Sequence, residues 1–185
     1  MSTANASRAG SPAKETEPPK DGLEAERIFA ARAGRVIFRD LSRDEIEAML
    51  LRNRVGRLAF SRHDRVDIQP IHYVYERGWI YGRTSIGEKI ATLEHNRWVA
   101  FEVDEVEDIF DWRSVVVHGS FWKLPPRGSP HAEELWTRAA DLVSQIVSGA
   151  LTERDPVAFR HMLFRIAVGD ASGREARTKP IEQND

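Results

Sequence analysis

The stretch Arg83-Thr84-Ser85-Ile86-Gly87-Glu88-Lys89 sets two hydroxyls between two cations, where an apolar strand gives way to an amphipathic helix. A helix start offers free N–H groups and the positive end of the helix dipole. Such a junction suits a phosphate. Arg83 and Lys89 would add charge, Thr84 and Ser85 would add donors, and Gly87 lets backbone approach closely. The same letters also describe an ordinary capped helix with solvated cations. Ser85 and Glu88 then complete an S-x-x-E capping box, and the Glu88 charge opposes an anion. The chain has neither a Walker-type loop nor a glycine-rich dinucleotide loop, so a nucleoside triphosphate is not favoured.

Two further clusters have side chains suited to a ligand. Gln69-Pro70-Ile71-His72-Tyr73 reads as strand, and Pro70 cannot donate to a ladder. Backbone groups freed there could meet the polar edge of a planar heterocycle, or simply belong to a bulged edge. Trp112-Arg113-Ser114 opens a later strand. Its indole could lie beside a ring system, with Arg113 or Ser114 reaching a polar edge, or Trp112 could cover the end of a core. The 6 histidines include no pair at the helical zinc spacing. His72 and His118 lie on expected strands and could meet in space. Asp104, Glu105, Glu107 and Asp108 read as a solvated acidic loop.

The elements that must position these residues follow from periodicity. Ser42 and Glu45 form a capping box, and Ile46, Met49 and Leu50 make one apolar face. Strands are expected at 55–61, 66–75, 79–83, 98–103, 114–122 and 162–168, with helices from Ser85 to about Asn96 and over 131–148. Residues 1–22 are polar and rich in Pro, Ser and Ala, and read as a disordered tail. The folded domain is expected over 38–168, with a polar tail at 169–185. Many short antiparallel strands and few helices point to a small barrel, mainly β with flanking helices.

Composition narrows the chemistry. Lys and Arg number 27 and Asp and Glu 29, a net charge of −2, which favours neither nucleic acid nor an anionic membrane as partner. With 0 cysteines, thiolate nucleophiles, iron–sulfur clusters and disulfides are excluded. No apolar run reaches membrane-spanning length, and no hydrophobic signal core opens the chain. The expected location is the cytoplasm.

Taken together, VGRLAFS, QPIHYVYERGWIYGRTSIGEKIATLEHN, VAFEVD, WRSVVVHGSFW and MLFRIAVGDASGR resemble the pyridoxamine 5′-phosphate oxidase-like split β-barrel family. The resemblance is strongest to its nitroimidazole-resistance and flavin-nucleotide-binding branch. It implies a homodimer with FMN in a groove between subunits, and an oxidoreductase acting on a small electrophilic or aromatic substrate. Arg83, Thr84 and Lys89 would hold the phosphate, with Ser85 nearby. Gln69, Pro70, Ile71 and His72 would line the isoalloxazine, and Trp112, Arg113 and Ser114 would approach it from the other subunit. The R-x-x-x-L-K stretch and the C-terminal Arg-x-His of the vitamin B6 oxidases are not evident. Related split barrels use the deazaflavin F420 or haem, which leaves a non-catalytic carrier or sensor as the alternative, with His72 or His118 as candidate haem ligands.

Overall fold

Strand alternation sorts the chain into a barrel interior and an exterior. The computed structural model describes residues 35–62 and 65–179. The expected tail at 1–22 and the turn at His63-Asp64 lie outside them. The strands are β1 (Arg35–Asp40), β2 (Val55–Arg62), β3 (Arg65–Glu76), β4 (Trp79–Thr84), β5 (Trp98–Asp108), β6 (Asp111–Leu124) and β7 (Met162–Lys179). The helices are α1 (Arg43–Arg52), α2 (Glu88–His95) and α3 (Pro130–Ser144). One sheet runs in the order β1-β7-β4-β3-β2-β5-β6, and β6 pairs back onto β7. The sheet thus closes on itself as a split β-barrel.

The split has a definite place. β3 pairs with β2 from His72 back to Arg65. It pairs with β4 only from Tyr73 to Glu76. Among the described residues, 65–72 therefore keep one unpaired edge. Pro70, opposite Arg57, stands on that stretch, where its missing N–H costs no ladder bond on the open side.

Leu58, Phe101, Ile80, Phe164 and Ile166 fill the interior, with α1 contributing Met49 and Leu50. Tyr73 packs edge-on against Phe101, ring centroids 4.9 Å apart. Its buried hydroxyl donates to the Leu50 carbonyl oxygen at 3.0 Å. The expected α1 capping box forms: the Glu45 N–H donates to Ser42 Oγ at 3.3 Å, and the Ser42 N–H donates to Glu45 Oε2 at 2.9 Å. A second cluster lies outside the barrel, where Ala139, Leu142 and Val143 of α3 cover Tyr81, Leu124 and Leu163. This explains why β4 is buried along most of its length rather than on alternate residues. Among the described residues, no helix is long and apolar enough to cross a membrane.

Four readings of the sequence need correction. The second capping box does not form: Gly87 is the N-cap, α2 begins at Glu88, and no side chain caps it. The acidic stretch is not a loop but the end of β5. Its charges are matched sideways, Asp104 by Arg57 and Glu105 by Arg52, so acidity did not mark a break in the strand. The final strand does not stop at Val168; it runs to Lys179 beside β6, with Ala176 and Glu175 buried. Arg39 and Arg113 pair with Glu175, at 2.6 and 2.8 Å, and let a polar sequence continue a strand. Finally, α3 ends at Ser144, short of 148.

The barrel closes tightly at Gly119, beside a register shift between β6 and β7. A Cβ there would lie 2.2 Å from the Ala167 carbonyl oxygen. Around Gly87 a Cβ would meet nothing within 4 Å. Gly119→Ala is therefore expected to cost about 1–3 kcal/mol, as overpacking does, while Gly87→Ala stays near wild type. Urea midpoints of both variants check this, and equal midpoints would contradict it.

Candidate functional site

Arg83 and Thr84 end β4 and are both buried. Ser85 follows half-buried, and Lys89 sits half-buried in the first turn of α2. On β3, Gln69, Pro70 and His72 are exposed and Ile71 points into the core. The divergence of β3 from β4 thus sets an open strand edge beside a strand–helix junction. His72 and Arg83 line one cavity together.

Arg83 has a partner that the sequence reading lacked. Its guanidinium forms a two-pronged pair with Asp155, from the segment joining α3 to β7: Nη1 meets Oδ2, and Nη2 donates to Oδ1 at 3.1 Å. Both side chains are almost fully buried. Asp155 also accepts the N–H groups of Leu151 at 2.8 Å and Val157 at 2.9 Å. The Arg83 guanidinium holds its carboxyl well below the usual carboxylate range; burial opposes this, and the two amides support it. In this structure Arg83 therefore balances Asp155.

Lys89 differs. Among the described residues it makes no ion pair. Burial lowers its pKa, and the neighbouring Arg160 guanidinium lowers it further. Among the described residues Arg160 likewise has no carboxylate partner; its guanidinium lies 5.7 Å from the Phe159 ring centroid. Two cations thus stand near one another without an ion pair to a described residue. Thr84, buried at the end of β4, precedes Lys89 by a short turn.

Trp112, Arg113 and Ser114 lie elsewhere in the chain's own barrel. Trp112 packs 6.4 Å from Phe38, ring to ring. Arg113 Nε donates to Glu175 Oε1 at 2.8 Å, and Ser114 Oγ donates to Glu102 Oε1 at 3.1 Å. No hydrogen bond, ion pair or ring contact among the described residues joins them to Arg83 or Lys89. His72 and His118 do not meet either, since they line separate recesses. Among the described residues no cluster of His, Asp and Glu is arranged to hold a metal.

Asp155 and Arg160 went unread in the sequence. Asp155-Pro156-Val157 did carry a signal, because an Asp side chain that accepts the N–H two residues on makes an Asx turn. Nothing local announced the burial of that carboxylate or its partner on β4.

The strand order and closure define a split β-barrel. The family model described as pyridoxamine 5′-phosphate oxidase matches residues 42–175, and the chain belongs to that family. A FAD-binding protein of Mesorhizobium loti, known from its crystal structure, is 31% identical, with TM-score 0.63, over 76% of this chain and 99% of that one. A conserved protein of unknown function from Corynebacterium diphtheriae is 26% identical, with TM-score 0.57, over 75% of this chain and 97% of that one. An uncharacterized protein of Rhizobium meliloti is 28% identical over 76% of this chain and 97% of its own length.

The Asp155 carboxyl has a depressed pKa in the folded state. Its stabilisation is therefore complete above the unfolded value, near pH 4, and is lost as pH falls through the lower folded value. Asp155→Ala strands the Arg83 charge, so it is expected to unfold at lower urea than wild type near neutral pH. That gap should narrow below about pH 4. Urea melts on both sides of that pH check it; a gap independent of pH would show that the pair does not stabilise the fold.

Proposed function

We propose that this chain binds a flavin nucleotide between two copies of itself and reduces a small electrophilic or aromatic compound. One observation carries the reading: half-buried Lys89, in the first turn of α2, makes no ion pair among the described residues and stands close enough to Arg160 to feel its charge. A buried cation without an anion is costly, and a phosphate relieves that cost. The Mesorhizobium loti relative is named for FAD. FMN, the form implied by the sequence resemblance, shares its ring and first phosphate.

Lys89, Thr84 and Ser85 would hold the phosphate. Arg83 would act at one remove, fixing the neighbouring segment through Asp155. The unpaired edge of Gln69 to His72 would offer backbone N–H and C=O groups to the ring's polar rim. The partner subunit's Trp112, the partner subunit's Arg113 and the partner subunit's Ser114 would close the ring's other side and exclude water. The bound flavin supplies the electron transfer, and the protein supplies orientation and enclosure. Dimerisation is favoured by apolar side chains left in solvent on β3, with Val66 at 73% and Ile68 at 63% exposure.

Purified protein mixed with FMN, FAD or riboflavin and then desalted is expected to keep a phosphorylated flavin and to scatter light as a dimer. Lys89→Ala should weaken FMN by about tenfold or more, one charge-assisted hydrogen bond, and leave riboflavin unchanged. Wild-type protein that keeps no flavin would sink the reading, and so would a strict monomer.

A further inference from the structure

Between β3–β4 and the segment following α3 lies a cavity of about 270 Å³. Its walls are apolar, formed chiefly by Val143, Ile146, Val147 and Val157. Its polar residues among those described are His72, Arg83 and Arg160, and no described carboxylate lines it. The charge balance decides what could enter. Arg83 is already matched by Asp155. Arg160 is not matched, and Lys89 stands near enough to feel its charge. The cavity is therefore apolar in its walls and positive at its polar end. A cation would meet like charge, and a neutral hydrocarbon would leave the guanidinium unanswered. The volume falls below the roughly 300–1,000 Å³ typical of sites for drug-sized ligands, so one ring or a branched chain of similar size is the fitting body.

We propose that this cavity binds a small apolar carboxylate, with the guanidinium of Arg160 meeting the carboxylate and the valine and isoleucine walls holding the body. Binding stands on the cavity alone. That its occupant is the compound reduced rests on the flavin reading, since His72 belongs both to this cavity and to the strand that would line the ring. The reading then narrows the electron acceptor to compounds carrying an anionic group.

Benzoate and its neutral counterpart benzamide separate charge from shape. Titration calorimetry of the protein as purified is expected to show saturable benzoate binding, with benzamide weaker by about tenfold or more. Arg160→Gln should abolish that preference and Arg160→Lys should restore part of it. Val147→Trp, which fills the cavity, should weaken both ligands. No saturable benzoate binding, or a preference untouched in Arg160→Gln, overturns the proposal. Flavin retention on the same preparation tests the parent reading separately. Benzoate without flavin would keep the cavity and remove the flavin, and flavin without benzoate would do the reverse.

Discussion

The parting of β3 from β4 after the Tyr73–Gly82 pair is the constraint on which the rest of the architecture hangs. Had the two strands paired along their whole length, the barrel wall would be continuous and no groove would open. Proline at position 70 cannot donate to a second ladder, so the sequence itself discourages that pairing. The separation leaves a strand edge with free backbone groups, and it leaves room for the segment after α3 to reach the end of β4. Core packing then holds the geometry. Phe164 sits against Gly82, where an added Cβ would come within 2.6 Å of its ring, so β4 and β7 approach closely at the point where β3 departs.

Electrostatics completes what the strand geometry begins. Three positive groups gather near this edge: Arg83, Lys89 and Arg160. Asp155 removes one of them from consideration. A neutralised Arg83 serves as a structural tie, which leaves the remaining charge concentrated on Lys89 and Arg160. The charge of this region thus depends on which cation is matched internally, not on how many the sequence supplies. The other end of the barrel shows the opposite arrangement. There Arg39, Arg113 and Arg177 all converge on the one carboxylate of Glu175, and Arg39 is also paired with Glu45.

Much of the fold was legible in the sequence because it rests on local signals. The α1 capping box, the β3–β4 hairpin around Gly78, and the apolar face of α3 all follow from residues close in sequence. Pro70 even foretold the place where pairing fails. Two of the errors share one cause. Polar residues were read as loop or tail where their partners came from distant parts of the chain. Glu105 looked solvated until Arg52 and Asn53 were seen to bind it, and Glu175 looked like tail until three arginines enclosed it. The candidate site was half legible for the same reason. Its strand–helix junction is local and was found. Asp155 and Arg160 arrive from a segment without regular structure, and only the folded chain brings them to β4.

The Arg83–Asp155 tie also shapes how this protein can change over time. The two residues lie 72 positions apart, yet neither can be replaced singly without stranding a buried charge. A lineage leaves this arrangement only by altering both codons nearly together, or by first opening the segment to water. The pair therefore acts as a ratchet on drift: a change at either residue exposes the other's charge, so the loop after α3 and the end of β4 can change at these positions only in step.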